Sequence, residues 1–237
     1  MIISNSRRFT FVHISKSGGT SVEAGLEPFL AWNDLYLGNP ACGERMIDAY
    51  QGRFGLHKHS SVSDIEKVCG IQYVTEYYLF SVVRNPLHRI CSLYNFVGFT
   101  LQEWCTAQKL TLRKLRRRMN PSLVQAFPFL NWPATRAYLA CSSFSEFLRH
   151  EALPYDDAFR TQAGMLARSS GELATSPFRL EDITIWLPLL RNRLQIDVTF
   201  GHENRSTAQF VNHRDVCSED KLLIERIFEI DYIAFGY

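Results

Sequence analysis

The fold is decided by the stretch Phe11-Val-His-Ile-Ser-Lys-Ser-Gly-Gly-Thr-Ser21. An apolar segment with strand character, Phe9 to Ile14, runs into a loop that contains Lys16 and a pair of glycines, and Thr20 then begins a helical pattern. Glycines let backbone N–H groups approach a ligand closely, and a helix N-terminus carries the positive end of the helix dipole. The lysine adds a compact point charge. The stretch therefore predicts a strand–loop–helix seat for a phosphate.

The loop differs from the common nucleotide loops. A Walker loop places its lysine after the last glycine, whereas Lys16 precedes the glycine pair, and the fingerprint G-x-G-x-x-G is absent. A lysine–glycine loop by itself is also compatible with an ordinary strand–turn–helix connection. A second element is therefore needed to support a phosphate site.

The second element is a buried strand followed by an arginine. Tyr77-Tyr-Leu-Phe-Ser-Val-Val83 is short, apolar and rich in aromatic and β-branched residues, and it leads into Arg84-Asn-Pro-Leu-His-Arg-Ile-Cys-Ser-Leu-Tyr94. Asn85 can cap a helix, and Pro86 suits its first turn. Arg84 then lies at the carboxyl end of a central strand, where open α/β sheets bind ligands. Its guanidinium can grip a phosphate at two points, although a surface salt bridge is the alternative.

Together the two elements resemble sulfotransferases that use 3′-phosphoadenylyl sulfate (PAPS). Lys16-Ser-Gly-Gly-Thr-Ser21 is similar to the family's loop for the 5′-phosphosulfate, and Arg84-Asn-Pro-x-x-Arg-x-x-Ser-x-Tyr94 to its 3′-phosphate motif. Other segments resemble the branch that contains the carbohydrate 2-O-sulfotransferases and related bacterial enzymes. These segments are His57-Lys-His59, Phe159-Arg-Thr-Gln162, His202-Glu-Asn-Arg-Ser206 and Asp231-Tyr-Ile-Ala-Phe-Gly-Tyr237.

The resemblance implies a role for each matching residue. His59 is the expected general base and Lys16 the expected stabiliser of the leaving phosphate. The expected PAPS-binding residues are Lys16, Ser17, Gly18, Gly19, Thr20, Ser21, Arg84, Ser92, Arg205 and Ser206. Weaker candidates for contact with the acceptor are His57, Arg160 and Gln162. His57 and His59 alternate, so on an extended segment they point to opposite faces and only one faces the acceptor.

Length and composition limit the fold and the partners. With 237 residues, of which 46% are hydrophobic, the simplest expectation is one α/β domain over residues 1–237. Alternating strands and helices imply a mainly parallel central sheet flanked by helices, and the resemblance adds a P-loop-like sulfotransferase fold. A net charge of +2 does not favour a general nucleic-acid binder. The six cysteines show no C-x-x-C spacing, and neither a zinc ribbon nor any other metal site is expected.

The remaining patterns predict individual elements. Residues 31–52 read as loop, Phe54 to His57 as a short strand, and residues 99–170 as helices that shape an acceptor cleft. Further helices are expected at 86–97, at 181–194 and from Ser218. Capping boxes are predicted at Ser63-Asp-Ile-Glu66, before a helix that ends ahead of Gly70, and at Ser143-Phe-Ser-Glu146.

The acceptor is expected to carry a hydroxyl, and an anionic saccharide is the first candidate; lipid, small-metabolite and peptide-tyrosine acceptors stay open. The basic run Arg113-Lys-Leu-Arg-Arg-Arg118 is either a solvated helix face or a contact for such an anion or for a membrane surface. No secretory segment or membrane-spanning run is evident, which predicts a cytoplasmic enzyme, although a chain trimmed of an anchor would look the same.

Two other functions compete with sulfuryl transfer. A kinase or another P-loop phosphotransferase is disfavoured by the position of Lys16 and by Arg84, where a metal-binding carboxylate would be useful. A nucleotide-binding module without catalysis is disfavoured by the combination of Lys16 with His59. The His57–His59 pair could also hold a metal, but the sequence identifies no further ligands for one.

Overall fold

A computed structural model describes residues 1–38, 41–201 and 209–237, without the side chains of Ala41, Cys42, Glu44 and Arg118. These residues divide into two compact units. The first comprises Met1–Asn85, Thr161–Arg205 and Ile230–Tyr237, and the second Pro86–Arg160 and Ser206–Glu229.

The strands are β1 Ile2–Ser4, β2 Phe9–Val12, β3 Leu35–Tyr36, β4 Tyr78–Val83 and β5 Phe178–Arg179. The α-helices are α1 Gly19–Leu26, α2 Ala41–Phe54, α3 Val62–Cys69, α4 Gln72–Thr75, α5 Pro86–Ala107, α6 Leu112–Arg118, α7 Pro121–Ala126, α8 Pro133–Ala140, α9 Phe144–Leu148, α10 Gln162–Leu166, α11 Ile183–Leu194, α12 Ser218–Ile227 and α13 Glu229–Phe235. Short 3₁₀ turns lie at Glu27–Phe29, Pro128–Asn131, Leu153–Tyr155, Asp157–Phe159 and Leu180–Asp182.

The first unit contains a five-stranded mixed sheet in the order β3-β1-β2-β4-β5. The pairs β2–β4 and β4–β5 are parallel, with Phe11 opposite Phe80 and Val83 opposite Arg179. The pairs β1–β2 and β1–β3 are antiparallel. The α/β class is thus confirmed, but a mainly parallel sheet is not, because the chain enters β2 through a hairpin from the short strand β1.

Helices cover both faces of this sheet. Neighbouring residues of β4 point to opposite sides, so Leu79 and Val83 join one core cluster while Phe80 and Val82 join the other. The first cluster includes residues of α3, α10 and α13, and the second includes residues of α1 and α11. Because β4 is buried on both faces, it reads as a continuous apolar run rather than as an alternating one.

The second unit is helical in the part that the structure describes. Its longest helix, α5, carries Tyr94, whose ring packs on Tyr138 with centroids 4.8 Å apart and on Phe147 with centroids 5.0 Å apart. The amide of Asn95 accepts from the backbone N–H of Phe210 and donates to the carbonyl of Val211, each across 2.8–2.9 Å. These bonds satisfy polar groups that would otherwise be costly to bury.

Several predicted elements are confirmed. Strand β4 occupies residues 78–83, α5 begins at Pro86 and extends ten residues beyond 97, α11 falls within 181–194, and α12 begins at Ser218. The side chain of Ser143 accepts from the N–H of Glu146 and caps α9, whereas the carboxylate of Glu146 accepts from the N–H and the hydroxyl of Ser142. The N-cap is therefore confirmed, but the reciprocal bond of a capping box is not.

Other predictions are wrong. Residues 31–52 are predicted as loop but contain β3 and most of α2. Gly43 and Gly52 interrupt the helical pattern in the sequence, although good helix formers lie between them. No strand spans residues 54–57; α2 ends at Phe54, and Gly55 turns the chain with φ 71°. The capping box before α3 is formed by Ser61 and Asp64 rather than by Ser63 and Glu66.

Candidate functional site

The loop between β2 and α1 has the backbone that a phosphate seat requires. Lys16 and Gly18 both adopt left-handed conformations, with φ 65° and φ 80°. Such a φ is uncommon for a residue with a side chain, and strain of this kind concentrates at functional sites. Gly18 is the N-cap of α1 and makes no side-chain capping bond. Its carbonyl accepts from the N–H groups of Ser21 and Val22 across 3.1 and 3.3 Å, so the positive end of the helix dipole lies at the loop.

Space around the loop also requires both glycines. A Cβ on Gly19 would lie 2.2 Å from Cδ2 of His13, and a Cβ on Gly18 would lie 2.8 Å from Cδ1 of Leu180. At Gly19 a larger residue would collide with the ring of His13, and at Gly18 the positive φ restricts substitution further. Serine and threonine follow directly, as Thr20 and Ser21 in the first turn of α1.

Two cations lie side by side at this edge of the sheet. β2 and β4 are parallel neighbours, so the residues that follow them, Lys16 and Arg84, meet at their carboxyl ends. Nη1 of Arg84 donates to the carbonyl of Lys16 across 3.4 Å. Burial, followed by the charges of Arg84 and Lys58, lowers the pKa of Lys16 to about 7. The two residues that the resemblance assigns to the phosphates of PAPS thus lie together at one edge of the sheet.

Gln162 ties the loop to the end of β4. Its Oε1 accepts from the hydroxyl of Ser17 (3.1 Å) and from the N–H of Arg84 (2.9 Å), while its Nε2 donates to the carbonyl of Arg84 (2.9 Å). The carboxylate of Asp231 accepts from the backbone N–H groups of Gln162 and Ala163. Gln162 is fully buried. We therefore assign it the positioning of both cations, in place of contact with the acceptor.

Replacing Gln162 by methionine should lower the free energy of unfolding by about 1–3 kcal/mol for each buried partner left unsatisfied. The change keeps the side-chain length but removes the hydrogen bonds to the hydroxyl of Ser17 and to the backbone N–H and carbonyl of Arg84. Urea denaturation measures the effect, with Gln102→Met on the exposed side of α5 as the matched control. Equal stability of the two variants would show that the three hydrogen bonds carry no net energy.

His59 lies in a turn next to the loop. The turn is closed by a bond of 3.1 Å from the N–H of Ser60 to the carbonyl of His57. Nδ1 of His59 is 2.9 Å from the carbonyl oxygen of His13. A carbonyl can only accept, so Nδ1 carries the proton and the lone pair on Nε2 is left to act as a base.

His57 has the opposite tautomer. Its Nδ1 accepts from the backbone N–H of His59 across 3.3 Å, so the proton lies on Nε2. The two rings are 6.4 Å apart. The predicted extended segment with histidines on opposite faces is wrong, because the chain turns here. The tautomers nevertheless separate the two candidates and favour His59 as the base.

The surroundings keep His59 neutral. Burial, followed by the nearby His13, lowers the pKa of His59 well below 6.5, and the charge of Lys58 acts in the same direction. At neutral pH the imidazole is therefore unprotonated and able to accept a proton. The titration of His59 therefore lies at more acidic pH than that of an ordinary histidine.

A buried pair behind the loop was missed by the sequence analysis as a functional feature. Nδ1 of His13 is 2.7 Å from Oε1 of Glu23, and the two side chains are 3% and 0% exposed. The signal was present: Glu23 is a carboxylate on α1 beside the apolar positions Val22 and Leu26, where a solvent-facing residue is not expected.

The remaining predicted site residues lie in the second unit or outside the described residues. Ser92 is half-buried on α5, and Nη1 of Arg160 is 3.8 Å from Oδ1 of Asp157. The basic run Arg113–Arg118 forms most of α6. Arg205 and Ser206 lie outside the described residues. The proposed roles of Ser92, Arg160, Arg205 and Ser206 stay predictions.

Comparison of the chain with models of protein families, with curated proteins and with solved structures finds no match. Across residues 1–38, 41–201 and 209–237, no three His, Cys, Asp or Glu side chains are grouped so that they could hold a metal ion. Within the same ranges, no helix has both the length and the apolar character needed to cross a bilayer. The function is therefore argued from the geometry of the first unit.

Proposed function

We propose that the protein is a sulfotransferase that moves the sulfuryl group of PAPS to an acceptor hydroxyl. The observation that carries the proposal is the placement of Lys16 beside Arg84, at the start of α1 and at the carboxyl ends of two parallel strands. Ligands of open α/β sheets bind at the carboxyl ends of the strands, and two cations at such a place suit an anionic ligand. The charges, the glycine backbone and the helix N-terminus all suit a phosphate or phosphosulfate.

His59, Lys16 and Arg84 then each have a role in the proposed reaction. Nε2 of His59 takes the proton of the acceptor hydroxyl, whose oxygen forms a new bond to sulfur. The bond from sulfur to the bridging oxygen breaks, and its electron pair leaves with 3′-phosphoadenosine 5′-phosphate (PAP). Lys16 stabilises the charge that develops on this leaving phosphate. Arg84 binds phosphate, and we assign the 3′-phosphate to it on the resemblance of its motif.

The finer features rest on the same resemblance. We propose that the chain forms one domain with a P-loop-like sulfotransferase fold, and that a carbohydrate hydroxyl is the acceptor. Transfer from Mg²⁺–ATP is the rival reaction. Glu181 lies next to the end of β4, but its carboxylate accepts from the N–H of Asn85 and from the hydroxyl of Tyr237. The Glu181 carboxylate therefore links the end of β4 to the C-terminal segment, which disfavours a role as a metal ligand.

The affinity for PAP should fall as the pH rises above the pKa of Lys16, which is about 7. A bound phosphate raises this pKa, so binding takes up a proton wherever Lys16 is neutral beforehand. Below the pKa the ammonium is already present and its titration has no effect; above it, the Kd rises by up to about tenfold per pH unit. Calorimetric titration from about pH 7 to about pH 9 measures this slope. Lys16→Arg, which keeps its charge, should show a flat profile, and an equally flat wild-type profile would contradict the assignment.

The proposed function is tested by turnover with [³⁵S]PAPS and a panel of saccharide, lipid, small-metabolite and tyrosine-peptide hydroxyls. We expect label in one acceptor class and one PAP released per label transferred. Arg84→Ala should raise the KM for PAPS by about tenfold or more, because a charge-assisted contact of about 1.5–3 kcal/mol is lost. Phosphate transfer from Mg²⁺–ATP to the same panel would identify a kinase instead, and PAP binding without any transfer would indicate a non-catalytic module.

A further inference from the structure

Glu23 is a charged residue at the centre of the first unit for which the reaction above has no use. Its carboxylate is fully buried and lies 2.6 Å from the amine of Met1, 2.7 Å from Nδ1 of His13 and 3.5 Å from Nζ of Lys58. Gly38 packs against the same group, since a Cβ there would lie 2.5 Å from Oε2. The carboxylate is thus enclosed by donors and cations.

The charge on Glu23 is retained despite its burial. Burial raises its pKa, but the Met1 amine, His13 and Lys58 lower it more strongly, so the carboxylate stays ionised. Burial lowers the pKa of His13 to about 4 even with Glu23 alongside, so His13 is neutral, and its Nδ1 lies 2.7 Å from Oε1 of the carboxylate. Apolar side chains often replace buried ion pairs without loss of stability. A retained charge at this place therefore points to a role besides stability.

Two of the contacts of Glu23 lead directly to His59. His13, whose Nδ1 lies 2.7 Å from Oε1 of Glu23, is also the residue whose carbonyl accepts from Nδ1–H of His59. The rings of His13 and His59 meet edge to face with centroids 4.7 Å apart. The other contact, Lys58, immediately precedes His59 in the turn. Glu23 thus holds the histidine turn from two sides.

We propose that Glu23 is the positioning residue of the base: through His13 and Lys58 it holds the His59 imidazole with Nδ1 on the His13 carbonyl, and so keeps Nε2 as the proton acceptor. The inference rests on the proposed function, because it takes His59 as the base. The logic is that of a buried carboxylate that fixes the tautomer of a catalytic histidine, here with one residue interposed.

The test compares wild type with Glu23→Gln, which keeps the shape and removes the charge. Histidine ¹⁵N spectra of the full chain report the tautomer of His59, whose signals are assigned by their loss in His59→Asn. We expect the Nδ1–H form in wild type and a mixture of tautomers in Glu23→Gln. The kcat should fall about ten- to hundredfold, as for other partners that orient a catalytic ligand, while the KM for PAPS stays within about twofold.

The control variant is Glu23→Asp, which keeps the charge but withdraws it by one methylene. Glu23→Asp should shift the tautomer and lower kcat in the same direction as Glu23→Gln, but by less. It replaces Glu23→Gln in the test if that variant does not fold. A wild-type tautomer and wild-type kcat in Glu23→Gln would overturn the inference. Failure of the proposed function looks different: wild type would neither bind PAP nor transfer label, whereas the His59 tautomer would still respond to Glu23.

Discussion

Replacing His59 by asparagine should lower sulfation turnover by about two to four orders of magnitude, the usual cost of losing a general base, while PAP affinity stays unchanged. Asparagine places its amide near the position of Nδ1, so it can still donate to the carbonyl of His13, which His59 contacts across 2.9 Å. It has no atom that replaces Nε2. The change therefore removes the base but keeps the hydrogen bond to the carbonyl of His13. Single-turnover kinetics with [³⁵S]PAPS measure the loss of turnover.

His57→Asn is the matched control. It should be milder, because Nδ1 of His57 is occupied by the N–H of His59 and its remaining nitrogen carries the proton. The kcat of wild type should rise with pH only in the acid range, since the pKa of His59 lies well below 6.5, and should be flat near neutrality. An inactive His57→Asn with an active His59→Asn would reverse the assignment. If both stay active, the base lies elsewhere, and Glu181 is the next candidate.

Removing the ammonium in Lys16→Ala should lower turnover by about a hundred- to a thousandfold, the range seen when one donor to a developing oxyanion is lost. PAP affinity should fall less than turnover, and by no more than the loss that deprotonation of Lys16 produces in wild type at high pH. Lys16 has a pKa of about 7, so its charge is only partly present before the ligand binds. Its loss also relieves the repulsion of Arg84. The contact strengthens only as the bond to sulfur breaks, which is why kcat carries the effect.

Lys109→Ala is the control for this change. Lys109 is an exposed lysine that also has a left-handed backbone, with φ 53°, so it matches Lys16 in residue type and conformation. Its replacement should leave both kcat and the Kd for PAP unchanged. Normal turnover together with poor PAP affinity in Lys16→Ala would show that Lys16 is a binding residue alone.

The parts of the fold that local sequence encodes could be predicted. The strand before Lys16 and strand β4 are apolar runs that end in turn residues, so the sequence predicts both. Their parallel pairing agrees with the long, mainly helical connection between them. β1 is three residues long, too short for a pattern, and its hairpin makes the sheet mixed. In α2, Gly43 and Gly52 weaken the helical pattern of the sequence. The helix is stabilised by the packing of Ile47 and Tyr50 against the core.

The part of the candidate site that could be predicted consists of charged residues that follow a strand in the sequence. Lys16 and Arg84 each follow a strand, and the rule for carboxyl ends of parallel strands brings them together. The role of Gln162 depends on contacts across 145 and 78 residues of sequence, to Ser17 and Arg84, which no local pattern contains. Glu23 was overlooked because a carboxylate on a helix is ordinarily on the solvated face.

The central claim is that the site beside Lys16 and Arg84 accepts PAP. Titration of the full chain at about pH 6.5, where Lys16 is protonated, with PAP, with adenosine 5′-phosphate and with Mg²⁺–ATP tests it most directly. We predict saturable binding of PAP, weaker binding of adenosine 5′-phosphate by about tenfold or more for the missing 3′-phosphate contact, and loss of that preference in Arg84→Ala. Binding of Mg²⁺–ATP in preference to PAP, or a preference for PAP that survives in Arg84→Ala, would contradict the account.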